Sequence, residues 1–224
     1  MRKISFFAAL IICAVSALHA SASLTNGSFE DYAGNLDGGY YQHIANGDSA
    51  AAATYVDGWG VGYGTLASQT NTGIDLVRIL GGGANGSDQF VDLNGTPGPG
   101  NIFQSIATVA NQAYTLAFYV TNSGSEGTFG VWVDDENGAS LASGTAIATG
   151  TWVLHQVTFI AQSATTFIGF EQTVPPGGNT GLYLDDVSVN AVPEPATVLV
   201  WSVLGLTAAG VSYKRARKNT VVNS

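Results

Sequence analysis

Between Ser23 and Ala191 no stretch sustains a helical period; short runs of Val, Ile, Phe, Tyr and Thr are separated by Gly, Asn, Asp and Ser. Runs of this kind, bounded by turn formers, read as strands. Tyr114, Leu116, Phe118 and Val120 alternate with Thr115, Ala117, Tyr119 and Thr121, as a strand with one buried face does. Phe129, Val131 and Val133 repeat the alternation and run into Asp134-Asp135-Glu136-Asn137-Gly138. That cluster reads as a hairpin turn, because Asn-Gly reaches positive φ at little cost. Residues 152–161, 165–172 and 181–190 read as closing strands, and 28–32, 55–63, 74–80, 89–93 and 102–108 as earlier ones. Residues 34–53 read as a long loop or an insertion. Nine or so strands with frequent turns predict an all-β fold, an antiparallel β-sandwich of the jelly-roll kind.

The two ends differ from this middle. Arg2 and Lys3 precede the apolar run 4–18, and Ala20-Ser21-Ala22 fits a small-residue cleavage site, so 1–22 reads as a signal peptide with a mature start at Ser23. The single cysteine, Cys13, falls inside that run with Ile12 before it; it is not read as a lipidation site, and the mature chain has no disulfide to rely on. At the other end residues 196–211 carry no charge and are followed by Lys214, Arg215, Arg217 and Lys218. This is marginal for a membrane span of about 20 residues, with Trp201 and Tyr213 as interfacial anchors and the basic cluster on the cytoplasmic side. A single hydrophobic helix is expected there.

Six of the seven basic residues lie in these ends, and only one of the sixteen acids does. Residues 23–191 therefore hold Arg78 against fifteen acidic residues, a formal charge of −14. Such a surface excludes DNA and RNA, whose phosphates need Lys and Arg. It suits neutral glycans and cations, and about 170 residues make one domain.

The C-terminal arrangement of Val192-Pro193-Glu194-Pro195, apolar run and basic cluster resembles the PEP-CTERM sorting signal over 192–218; the tail 219–224 extends past the usual end. An ordinary single-span anchor behind a Pro-rich spacer is the alternative. The resemblance implies recognition at Pro193, Glu194 and Pro195 by an exosortase-type enzyme. It also implies transient membrane insertion through 196–213, then release or transfer to the cell surface or exopolysaccharide matrix of a Gram-negative bacterium.

Within 23–191 a series of short motifs runs in order: Asn26-Gly27-Ser28-Phe29-Glu30, Gly58-Trp59, Val91-Asp92-Leu93-Asn94-Gly95, Gly100-Asn101-Ile102-Phe103-Gln104-Ser105 and Ala113-Tyr114-Thr115-Leu116-Ala117-Phe118. The series resembles the choice-of-anchor C domains found ahead of bacterial surface-sorting signals. The closing Tyr183-Leu184-Asp185-Asp186-Val187-Ser188-Val189 resembles the last strand of carbohydrate-binding modules with a galactose-binding-like jelly roll. That resemblance implies glycan binding and a structural calcium ion. Ca2+ takes six to eight oxygen ligands; Glu30 and Asp186 are the expected carboxylates, with Asn26 and Asp31 as helpers. Asp185 and Asp186 point to opposite faces of one strand, so at most one reaches inward. The competing reading leaves these acids at solvated strand ends.

Sugar rings stack on Trp and Tyr faces. Trp59 and Trp152 read as packing residues, whereas Trp132 falls out of phase with Phe129, Val131 and Val133 and is the best exposed aromatic. Tyr119 has the same parity in its strand and is expected to stand beside it.

Catalytic constellations are lacking. His43 and His155 are the only histidines of the mature chain: His43 falls in the 34–53 segment, and His155 reads as a hydrogen-bonded structural residue. No compact zinc set appears, and fifteen acids guarantee chance carboxylate pairs. Gly81-x-Gly83-x-x-Gly86 matches the dinucleotide fingerprint, but a strand and not a helix follows it, so it reads as a turn. Asp134 to Gly138 fails the EF-hand spacing because Val133 would hold the first ligand position. The expected protein is a non-enzymatic, exported β-sandwich that weakly binds extracellular polysaccharide. The alternative is a structural or adhesive protein that binds proteins or itself through a sheet edge.

Overall fold

The computed structural model describes residues 22–36, 39–62, 73–95, 98–122, 127–135, 137–148, 150–174, 181–192 and 205. The segment read as a signal peptide, the Pro193-Glu194-Pro195 motif, the apolar run and the basic cluster lie outside the described residues, apart from Ala22 and Gly205. Among the described residues no helix is long and apolar enough to cross a membrane.

Two antiparallel sheets make up the domain. The first contains β1 (Tyr41–Ala45), β3 (Gly73–Arg78), β4 (Gln89–Asp92), β11 (Leu182–Ala191), β6 (Ala113–Asn122) and β9 (Val153–Ile160), in that spatial order. The second runs β2 (Gly60–Val61), β5 (Asn101–Ala107), β10 (Thr165–Val174), β7 (Gly127–Asp135) and β8 (Ser140–Ala148). The alternation in β6 is the reason for the layering: Tyr114, Leu116, Phe118 and Val120 are buried between the sheets. Facing them from the second sheet are Phe129, Val131, Val133, Ile168 and Phe170, all likewise buried. Phe118 and Phe170 meet edge to face with centroids 4.9 Å apart, a geometry that adds to plain area burial.

The β7–β8 connection is the expected hairpin. Asp135 Oδ1 accepts from the amides of Asn137 and Ala139 at 2.9 and 2.8 Å, and Gly138 sits at φ 77.

Three expectations are corrected. Residues 34–53 are not a plain loop, because β1 pairs with β3 there and α1 (Ser49–Tyr55) follows, capped by Asp48 accepting from the Ala51 amide at 2.9 Å. An alanine run behind a good N-cap forms a helix too short to show a period. The stretch 55–63 contributes only Gly60–Val61 as strand, since its start belongs to α1. Residues 28–32 are a turn and not a strand: Asn26 and Phe29 take φ of 47 and 57, which no extended strand allows.

That turn is nonetheless locked to the sheet. Phe29 is fully buried and packs on Trp59, 5.5 Å between centroids, while Trp59 Nε1 donates to the Asn26 carbonyl at 3.0 Å. The Val187 amide donates to the Gly27 carbonyl at 2.8 Å, and a Cβ on Gly27 would come within 2.0 Å of the Val187 carbonyl oxygen. Because the obstacle is backbone, Gly27→Ala is expected to cost about 3 kcal/mol, lowering Tm by roughly 10 °C. Thermal unfolding followed by circular dichroism checks this; an unchanged Tm would mean the turn is not held against β11.

Candidate functional site

The outer face of the five-stranded sheet carries a row of residues in register across its strands. Gly60 on β2 opposes Phe103 on β5, Phe103 opposes Gly169 on β10, Gly169 opposes Trp132 on β7, and Trp132 opposes Ser143 on β8. Both aromatic residues lean over a glycine. A Cβ on Gly169 would lie 1.9 Å from Cζ2 of Trp132, and one on Gly60 would lie 2.4 Å from Cζ of Phe103. Each ring thus rests with one side on the sheet where a larger residue would push it up, and both residues are half-buried. Phe103 and Trp132 stand two strands apart, about 10 Å.

Polar groups border the row. Asp134 opposes Phe167, which opposes Ser105, and Glu171 lies on the other side, opposing Asn101 and Gly130. Burial, followed by the neighbouring Asp135, raises the Asp134 carboxyl above its ordinary value, and burial alone raises Glu171. At the β2 edge a groove of about 550 Å³ lies between this face and α1, reaching Phe103 and Ser105 on one side and Ser49 and Ala53 on the other. Flat aromatic rings flanked by hydrogen-bonding groups are what a sugar ring needs, its C–H face being apolar and its hydroxyls polar.

Trp132 is therefore outward-facing, as its parity predicts. Tyr119 also faces outward, but not beside Trp132, and this corrects the expected pairing. β6 pairs with β11 and β9, whereas β7 pairs with β10 and β8, so the chain crosses between sheets after β6. Parity separates inside from outside, but a sandwich has two outsides. Tyr119 stands opposite Asp185 and Leu154 on the six-stranded sheet and lines an open hollow of about 490 Å³ with Asp186 and Asn85. Leu154 is 46 % exposed, while Trp152 is half-buried, edge-on to Phe90, with its Nε1 donating to the Gly82 carbonyl at 3.0 Å.

The residues expected to hold calcium meet N–H donors. Glu30, on a turn, accepts at Oε1 from the amides of Asp88 and Gln89 at 2.8 and 2.6 Å. Asp186 takes φ 46 at a bulge in β11 and accepts at Oδ2 from Asn85 Nδ2 at 2.5 Å. Asn26 Oδ1 accepts from the Asp31 amide at 3.4 Å, and the side-chain Nδ2 of Asn26 is buried without a partner. The buried carboxylate of the pair is Asp185, which shares the outer face of the sheet with Tyr119 and is covered there by the turn Ala84–Ser87. It is fully buried and accepts from the Ala84 amide at 2.8 Å and from Ser87 Oγ at 2.7 Å, both at Oδ2, and from the Asp186 amide at Oδ1. Its pKa is pushed up to about 7, chiefly by burial, with those hydrogen bonds opposing the rise. Among the described residues no three His, Cys, Asp or Glu side chains gather to hold a metal. The carboxylates of Glu30 and Asp186 are met by N–H donors of the protein itself. Adding EGTA is thus expected to leave Tm within about 1 °C of its value; a fall of several degrees would restore a bound ion.

The histidines are also relocated. His43 lies on β1 with Nδ1 2.8 Å from Asp75 Oδ1. His155 stacks on Phe118, 5.9 Å between centroids, with its Nε2 buried and unpartnered, so it is not the hydrogen-bonded residue expected. Arg78, the cation of the region 23–191, donates to the carbonyls of Gly34 and Tyr32 and to Gln89 Oε1, which leaves it a tether for the N-terminal turn.

No family model matches the chain. A segment of halomucin from Haloquadratum walsbyi (strain DSM 16790 / HBSQ001) is 30% identical over 176 residues, covering 76% of this chain and 2% of halomucin. This chain therefore spans a small fraction of that protein's length. Among solved structures, the arabinose-bound MgGH51 α-L-arabinofuranosidase is 13% identical, with 77% of this chain and 27% of that one covered and a TM-score of 0.50. The TmCBM61 structure with β-1,4-galactotriose is 14% identical over 76% of this chain and 99% of its own, TM-score 0.46. A CBM4 structure is 17% identical over 76% of this chain and all of its own, TM-score 0.44. The likeness at TM-score 0.50 is one of fold, a β-sandwich of two antiparallel sheets.

Proposed function

We propose that this chain is an exported glycan-binding protein whose binding surface is the outer face of the five-stranded sheet. Trp132 and Phe103 supply the stacking platform; Asp134, Glu171 and Ser105 accept or donate hydrogen bonds to hydroxyls; α1 walls the groove at the β2 edge. The observation that carries the proposal is the row Gly60–Phe103–Gly169–Trp132–Ser143, in which two half-buried aromatic rings on the outer face lie over glycines. An acidic domain whose arginine is already engaged favours neutral polysaccharide over anionic polymers. Export by the N-terminal signal, processing at Pro193-Glu194-Pro195 by an exosortase-type enzyme and delivery to the cell surface or its polysaccharide matrix belong to the same proposal, supported by the residues of the two ends. The test is adsorption of the purified full-length chain to a panel of insoluble and soluble polysaccharides. Saturable binding to at least one neutral polysaccharide supports the proposal, and absence of binding across the panel contradicts it.

A second reading, adhesion through a sheet edge, has its own observation. β9 is an edge strand of the six-stranded sheet whose eight residues include no Lys, no Pro and no carboxylate, and whose Val153, Leu154 and Ile160 are exposed. Such an edge is a template for pairing unless it is blocked. Under this reading, sedimentation shows concentration-dependent association that Leu154→Lys abolishes; a monomer at all concentrations removes it.

A further inference from the structure

The opposite face of the sandwich carries a second row in register. His43 on β1 opposes Asp75 on β3, Asp75 opposes Asp92 on β4, and Asp92 opposes Tyr183 on β11. Above it lies a cavity of about 330 Å³ whose walls include Tyr40, Tyr41, Tyr183, Asp75, Asp92 and Asn94. Two carboxylates are thus side by side at the bottom of a hollow rimmed by three phenol rings. We infer that this cavity is a binding site for the ammonium group of a small organic cation, such as an amino sugar.

The basic side chain set against this pair is His43, on Asp75. Asp75 is 6 % exposed and its Oδ1 is 2.8 Å from His43 Nδ1, whereas Asp92 accepts from neutral backbone amides, that of Asn94 at 2.8 Å to Oδ1 and that of Leu182. Arg78 is committed to Tyr32, Gly34 and Gln89. Burial first, and Asp75 after it, raise the Asp92 carboxyl to about 7, so near neutral pH a proton does the work that a cation would do better. A hydrated divalent metal is the poorer candidate, because it wants six or more oxygens and no three metal-ligating side chains gather among the described residues. An alkyl- or glycosylammonium group gains from both parts of the lining: the carboxylates neutralise it, and tyrosine faces attract a cation within about 6 Å. Tyr40 is held at the rim by its edge-to-face contact with Tyr41 at 5.3 Å, and Tyr183 by its contact with Phe90 at 4.7 Å. The site is on the sheet opposite Trp132, so it is independent of the glycan platform.

The test is calorimetric titration of the full-length chain at pH 7 with glucosamine, N-acetylglucosamine and glucose. Glucosamine is expected to bind at least about tenfold more tightly than the other two. Asp92→Asn is expected to abolish that preference, and Trp132→Ala to leave it intact. Tyr40→Ala, at a position 62 % exposed and so harmless to folding, is expected to weaken glucosamine severalfold and serves if Asp92→Asn does not fold. Equal affinities for glucosamine and N-acetylglucosamine, no saturable heat with any of the three, or a preference that survives both Asp92→Asn and Tyr40→Ala would overturn the inference.

Discussion

Trp132→Ala will cost the chain most of its affinity for polysaccharide while leaving it folded. A sugar stacked on the indole removes on the order of 80 Å² of apolar surface from water, worth roughly 2 kcal/mol and about 30-fold in Kd. The fold tolerates the loss because Trp132 is half-buried on an outer face, whereas Phe129, Val131 and Val133 of the same strand fill the core. Trp132→Phe keeps a ring over Gly169 and is expected to recover about half of the lost binding energy. Affinity electrophoresis in polysaccharide gels measures all three proteins together. Equal retardation of wild type and Trp132→Ala would move the binding surface elsewhere.

Stability will rise as the pH falls from 8 towards 5, the reverse of ordinary acid sensitivity. Asp92 and Asp185 have their carboxyls raised from 3.8 to about 7, mainly by burial, and Asp134 and Glu171 are raised as well. A carboxyl raised in the folded state takes up its proton on folding. Its stabilising contribution is complete below the unfolded value near 3.8 and is lost as the pH climbs through the folded value near 7. Two buried groups shifted this far amount to a few kcal/mol in order of magnitude, or a rise in Tm of roughly 10 °C across that window. His155 opposes the trend, since burial lowers its pKa and the unfolded chain takes up that proton first below 6.5; one partly buried imidazole is outweighed by two buried carboxyls. Thermal melts at pH 8, 7, 6 and 5 check the sign. Asp92→Asn should flatten the curve, and a Tm that falls steadily from pH 8 to 5 would show that these carboxyls are not held protonated.

The strands that pack the core were legible because burial on one face writes itself into the sequence as alternation. β6 and β7 are examples, and the outward direction of Trp132 follows from the same rule. Phe103 was equally open to that rule, since it falls out of phase with the buried Ile102 and Ile106, yet a phenylalanine inside a strand reads as core. What alternation does not encode is the sheet to which a strand belongs. Tyr119 and Trp132 therefore share a parity while standing on opposite faces, and the carboxylate row needs pairings among β1, β3, β4 and β11 that no local pattern records. The surroundings of Asp186 were illegible for a different reason: alternation holds as far as Asp185, and positive φ at Asp186 then bulges the strand. Asp48 ahead of Ser49 and four alanines was a readable cap signal for α1, hidden by the glycine-rich surroundings.

The most direct test of the glycan platform is a polysaccharide titration followed at the indole N–H signals of the chain's four tryptophans. Trp59 and Trp152 donate their N–H groups to the carbonyls of Asn26 and Gly82, so their signals mark the interior and the six-stranded face. Binding at the proposed surface will shift the Trp132 signal progressively and leave those of Trp59 and Trp152 in place. A titration that shifts Trp152 and leaves Trp132 unmoved would contradict it, placing the polysaccharide on the other sheet.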